Sequence, residues 1–240
     1  MKIQRRHVGS VAALLAFGGL LGAGCAENRS SLFVRGVLKF DPDTCEVTAE
    51  ATAATILRGT LDVAFTTEYS AALLIGNQMV RRGNAATLRT ETSRVQFESA
   101  DVHTFDSAGN ELAAFTAPAT GFVDPSTGAE PGFGFANVVL VDSGTATAAI
   151  GNSGGPVEVL ASVIVRGRTL GGEEVATGEW QFPVDLCRGC LVFFPGEADD
   201  ITLPGPNCED RSDGPTSACR IGLDTGVDCR VCPGNPVCVP

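Results

Sequence analysis

From residue 32 onward the chain is written in short apolar and polar alternations broken by turn residues. CEVTAEATA (45–53) sets Cys45, Val47, Ala49, Ala51 and Ala53 on one parity and Glu46, Thr48, Glu50 and Thr52 on the other. That period of two is the signature of a half-buried strand. LFVRGVLKF (32–40), TLDVAFT (60–66) and AALLIGNQM (71–79) read as strands around it. Asp41-Pro42-Asp43-Thr44 and Arg82-Gly83-Asn84 supply turns, the second hairpin-like. In RVQFESADVHTFD (94–106), Val95 and Phe97 share one phase and Ala100 and Val102 the other. The slip near Glu98-Ser99 predicts a β-bulge.

Asp106-Ser107-Ala108-Gly109-Asn110 then turns the chain back into ELAAF (111–115), and the Pro- and Gly-rich stretch 117–134 reads as a long surface loop before the strand NVVLV (137–141). VEVLASVIVRG (157–167) and EVATGEWQFPV (174–184) flank Thr169-Leu170-Gly171-Gly172 as a long hairpin. Its first strand is apolar on both parities, with Val157, Val159, Val163 and Val165 opposing Leu160 and Ile164, so it is expected to be central or covered on both sides. Pro183 marks a strand end or edge. About ten short strands, with Thr, Val, Ala and Gly dominant, indicate an all-β fold. A two-sheet β-sandwich, an Ig-like Greek key by preference, is the expected architecture, ahead of a jelly roll or an open barrel.

After Leu186 the text changes. Residues 187–240 hold Cys187, Cys190, Cys208, Cys219, Cys229, Cys232 and Cys238 among dense Gly and Pro, with LVFF (191–194) the one apolar run. Such a tail buries little core of its own and depends on cross-links. The expected organisation is a signal peptide at 1–24, a tether at 25–31, a β-sandwich domain at 32–186 and a small, disulfide-rich, loop-dominated tail at 187–240.

The start of the chain sets the compartment. MKIQRRH is basic, residues 8–23 are apolar or small, and Gly24-Cys25 follows. A basic head, a short apolar stretch and a small-residue cut site make a secretory signal. The apolar run is shorter than the ~20 residues a spanning helix needs. LLGAGC resembles a bacterial lipobox, with Gly22 where Leu is commonest, and the resemblance implies that Cys25 is lipidated and becomes the new N-terminus. Ala26 in place of Asp favours the outer membrane by the same analogy. Arg5-Arg6 alone is weak support for twin-arginine export.

Charge narrows the partners. Of 17 basic residues three lie in 1–24, which holds no acid, leaving 14 basic against 28 acidic residues and a net charge of −14. Lys39 is then the only lysine. Such a surface repels nucleic acid and anionic lipid, so membrane contact is expected through the lipid on Cys25. An unknown protein or glycan is the expected partner.

GNSGGPV (151–157) is similar to the segment around the nucleophile of trypsin-like and HtrA-like serine proteases, which would make Ser153 the attacking residue. That chemistry needs a base and an acid to orient it. His103 is the only histidine after the signal, only 50 residues before Ser153 and in an unrelated setting, ADVHTFD. Asp124 and Asp142 lie between them, as acids would anywhere in so acidic a chain. Gly and Pro explain the segment as a turn. No catalytic residue and no cofactor is assigned, and His103 is expected to point outward beside Asp101.

Cys187-Arg188-Gly189-Cys190 and Cys229-Arg230-Val231-Cys232 could together supply four thiolates to zinc, but an exported chain favours disulfides. With Cys25 taken by lipid, eight cysteines remain, seven of them in the tail, so full oxidation requires one tail cysteine to bond to Cys45. Cys187 is the expected partner and Cys190 the alternative. The acids at Asp199-Asp200, Glu209-Asp210, Asp213, Asp224 and Asp228 could offer oxygens to calcium, but lack EF-hand spacing and read as solvated loops. No metal ligand is assigned. The lipobox, the β-rich body and the tail CRGCLVFFPG…DCRVCPGNPVC together resemble uncharacterised Cys-rich lipoproteins of soil-dwelling Gram-negative bacteria, which implies an envelope location and no particular activity. The expectation is therefore a lipid-anchored envelope lipoprotein with a binding or structural role, set against a serine hydrolase using Ser153 and a metal-binding tail.

Overall fold

The computed structural model describes residues 31–151, 155–210, 212 and 219–240. Cys25 and Ser153, and with them the lipidation and nucleophile readings, lie outside the described residues, as does Asp213. The strands are β1 (Leu32–Leu38), β2 (Thr55–Ile56), β3 (Gly59–Asp62), β4 (Tyr69–Asn77), β5 (Val95–Asp106), β6 (Glu111–Pro118), β7 (Thr120–Val123) and β8 (Gly132–Val141). After the helix α1 (Ser143–Ile150) come β9 (Val157–Thr169), β10 (Glu174–Ala176), β11 (Trp180–Cys187), β12 (Val192–Phe193) and β13 (Val227–Asp228).

The all-β expectation holds, while the arrangement does not resolve into two facing sheets of an Ig-like sandwich. Eleven strands form one mixed sheet in the order β2-β1-β4-β8-β7-β5-β9-β11-β3, with β6 on β5 and β10 on β9. Its two terminal strands, β2 and β3, are consecutive in the chain and joined only by Leu57 and Arg58. The sheet is therefore nearly closed upon itself. Closure is what reduces exposed strand edges.

Alternation fills the interior. Val159, Ala161, Val163 and Val165 of β9 are fully buried, and β9 is central, between β5 on one side and β10 and β11 on the other. The slip in β5 is present: its register against β9 shifts between Phe97 and Ser99, so that Val95, Phe97, Ala100 and Val102 all face inward. Trp180, Phe182 and Tyr69 stack in series, with ring centroids 5.5 and 6.1 Å apart. Pro183 sits within β11, one residue before the parallel register with β3 begins at Val184↔Gly59. At that point β11 is locally an edge, where a missing N–H is tolerated.

Several expected elements change. CEVTAEATA is not a strand. Residues 45–53 cross the outside of the sheet, where Val47, Ala49 and Ala53 pack with Phe40, Phe133 and Phe135 over Ala72 and Leu74. The alternation does mark one half-buried face, Val47, Ala49, Ala51 and Ala53, but that face covers a sheet instead of belonging to a strand paired with one. Within 117–134, β7 pairs with β5 and β8. The hairpin-like turn after β4 is reduced to a single antiparallel bridge: Asn84 and Arg89 exchange two backbone hydrogen bonds of 2.9 Å around a short 3-10 turn, which Asn84 caps by accepting from Ala86 N at 2.9 Å. α1 was missed because SGTATAAI buries only small residues and Ile150. Asp142 caps it by accepting from Thr145 N at 2.7 Å.

Candidate functional site

Eight cysteines form four disulfides: Cys45–Cys219, Cys187–Cys190, Cys208–Cys229 and Cys232–Cys238. A bridge from body to tail exists as expected, but its tail partner is Cys219, neither Cys187 nor Cys190. Cys187 ends β11, paired in register with Asp62 of β3, and closes on its own C-x-x-C neighbour instead. The two C-x-x-C motifs thus have different fates, since the second is divided between Cys208 and Cys238.

The Cys45–Cys219 bridge positions a tail segment in the gap between β3 and β4. On the β3 side, Leu61 and Leu223 form an antiparallel bridge. There Asp62 N donates to Gly222 O at 2.8 Å, and Asp224 N donates to Thr60 O at 3.1 Å. On the β4 side, Arg220 Nη2 donates to the Ser70 carbonyl and, at 2.9 Å, to Ser70 Oγ. Tyr69 Oη donates to Asp224 Oδ2 at 3.0 Å, and Thr60 N donates to Asp224 Oδ1 at 2.8 Å. A span of the tail is therefore built into the seam of the barrel.

The electrostatics follow from crowding. Asp224 as a residue is solvent-exposed, yet its carboxylate is hemmed in by protein, and that desolvation raises its pKa against the hydrogen bonds and the Arg220 charge that lower it. Burial raises the Tyr69 phenol, with the Asp224 charge acting in the same direction. Desolvation lowers Arg220, opposed by Tyr69 and Asp224.

Beside this seam lies a cleft of about 390 Å³. Leu38, Phe40, Pro42, Ile56 and Leu223 give it apolar walls, while Lys39, Arg220 and Asp224 supply charge. Arg220 stands 5.0 Å over the Phe40 ring, a cation–π distance.

The remaining candidate residues are dispersed. His103 points outward from β5, half exposed, as expected, and its Nδ1 lies 2.8 Å from Glu111 Oε1, while Asp101 takes Arg166. The acidic tail loops spend their carboxylates on their own backbone. Asp199 accepts from Asn207 N and Cys208 N at 2.8 and 3.0 Å, and those bonds hold its pKa low. Asp228 lies under Arg230, which donates from Nε and Nη2 at 3.0 and 2.7 Å and lowers the Asp228 pKa.

Two clusters bring three metal-capable side chains together, Asp62 with Cys187 and Cys190, and Cys208 with Asp228 and Cys229. In each the sulfurs are joined in disulfides, which removes the thiolates that would bind zinc. The Asp62 carboxylate accepts from Ala64 N, Gly189 N and Leu191 N at 3.0, 2.7 and 3.1 Å, and so anchors the Cys187–Cys190 loop.

Sequence reasoning missed the seam residues. Tyr69 is the only tyrosine, and a buried phenol needs a partner, but nothing in the sequence points from residue 69 to residue 224. Compared with known proteins, the chain matches no family model, no curated protein and no solved structure.

Proposed function

We propose that the protein is an exported, lipid-anchored envelope module whose β-rich body binds or scaffolds without catalysing a reaction. The observation that carries this reading is the cysteine accounting. Every cysteine after Cys25 is consumed in an intramolecular disulfide, which suits an oxidising compartment and leaves Cys25 for the lipid. The signal and lipobox around Cys25 support the same address, and a net charge of −14 after cleavage disfavours nucleic acid. Metabolic labelling with an alkyne palmitate analogue tests the anchor. Label on the wild type and none on Cys25→Ala is expected; equal label on both, or a mature N-terminus other than Cys25, rejects it. Catalysis is tested with a fluorophosphonate probe, for which no labelling is expected. Labelling that disappears in Ser153→Ala would establish a serine hydrolase instead.

A further inference from the structure

We infer that the cleft beside the seam is a binding site for a small amphiphilic anion, with an apolar body and a carboxylate or sulfonate head. The inference deepens the binding half of the proposed function and does not depend on the lipid anchor. Three observations carry it. First, the volume of about 390 Å³ and walls of Leu38, Phe40, Ile56 and Leu223 have the size and character of small-molecule pockets, which are mostly apolar with a few placed polar groups.

Second, the charge is opposite to that of the rest of the protein. The lysine that is unique after the signal, Lys39, and the half-buried Arg220 both line the cleft of a chain with 28 acids. The single acid among the described residues that line it, Asp224, is already engaged by Thr60 N and Tyr69 Oη. The neighbouring Asp41 carboxylate is turned onto its own loop, accepting from Asp43 N and Thr44 N at 2.9 Å each. Among the described residues that line the cleft itself, two cations therefore stand against one carboxylate, with the Asp41 charge just outside it.

Third, Arg220 has donors to spare. Its Nη2 is committed to Ser70, and among the described residues Nε and Nη1 have no acceptor. A guanidinium fixed by Ser70 on one side and the Phe40 ring on the other is preorganised, so ordering it costs a ligand little. The Cys45–Cys219 bridge holds the two walls, the 38–42 loop and the 219–226 segment, at a fixed separation.

The test uses the mature chain carrying Cys25→Ala, oxidised and free of detergent. The probes are the anion 1-anilinonaphthalene-8-sulfonate, its uncharged relative N-phenyl-1-naphthylamine, and decanoate as competitor. Saturable one-site binding of the anion is expected, displaced by decanoate and about tenfold tighter than the neutral probe. Lys39 is exposed, so Lys39→Glu should weaken the anion about tenfold, as reversal of a nearby charge in water predicts, and leave the neutral probe unchanged. Thr225→Trp, which places an indole in the mouth, should abolish both without moving the thermal midpoint. Equal affinity for both probes, binding indifferent to Lys39→Glu, or absence of saturable binding would overturn the inference; if Thr225→Trp fails to fold, Lys39→Glu still decides. Failure here leaves palmitate labelling of Cys25 untouched, and loss of that labelling leaves the cleft untouched.

Discussion

Replacing Cys45 and Cys219 together by serine removes the bridge that holds the tail in the barrel seam. The bonded residues are separated by 174 positions, against 3, 21 and 6 for the other three disulfides. Chain entropy scales with the logarithm of loop length, so this bridge constrains the unfolded chain most, by about 5 kcal/mol against about 2–3.5 for each of the others, less where the unfolded chain retains structure. That is a large part of the 5–15 kcal/mol typical of a domain. The seam adds a local effect. Without the bridge, residues 222–224 are held to β3 only by hydrogen bonds and the packing of Leu223. Urea unfolding under non-reducing conditions should show a loss of several kcal/mol, and hydrogen exchange should show the amides of Asp62 and Asp224 opening before those of the β5–β9 ladder. A loss below about 1 kcal/mol, with Asp224 as protected as in the wild type, would refute the account of a tail built into the body.

Two further tests probe the same region. A Cβ at Gly59 would lie 2.5 Å from Cζ and Oη of the buried Tyr69 ring, so Gly59→Ala should cost about 1–3 kcal/mol in urea unfolding through overpacking, and an unchanged midpoint would sink this. Because the folded pKa of Asp224 is raised above 3.8, its contribution is complete below that value and lost as pH rises through the folded pKa. Asp41, Asp199 and Asp228 are lowered and act in the opposite sense, losing their contribution as pH falls. Asp224→Asn isolates the first effect: the variant should gain stability relative to the wild type as pH rises above 3.8 and through the raised folded pKa, and a difference that stays flat with rising pH would contradict the raised pKa.

Local pattern made the strands legible. The phase slip at Glu98-Ser99, the turn at Asp106–Asn110 and the two-sided apolar run of β9 each follow from side-chain period, which a sequence displays directly. What the pattern could not convey was what each face meets. Val47 and Ala49 alternate as a strand would, yet they lie against Leu74 through side chains alone. Sheet closure was illegible for a similar reason. β2 and β3 are separated by two residues and look like one interrupted strand, whereas they belong to opposite ends of the sheet. Arg58 in that link donates to Glu158 and Asp185 at 2.6 Å each, contacts 100 and 127 residues distant that no local rule reports. The cleft was hidden because its residues come from 38–42, 56 and 219–226, and Asp224 alone looked like one more solvated acid.

The connectivity also bears on how the chain matures. Under the proposed export, thiols leaving the membrane from the N-terminal end after Cys25 would appear in the order Cys45, Cys187, Cys190, Cys208, Cys219, and Cys45 would wait through the emergence of three others before its native partner arrives. With Cys25 acylated as proposed, the first thiol Cys45 could meet is Cys187, a pairing absent from the native molecule. An oxidase that joined cysteines as they emerged would lock the tail away from the seam. Correct maturation therefore needs either late oxidation or a thiol–disulfide isomerase that reopens such early bonds by exchange. Cells lacking isomerase activity but retaining oxidase should accumulate this protein as mispaired monomers.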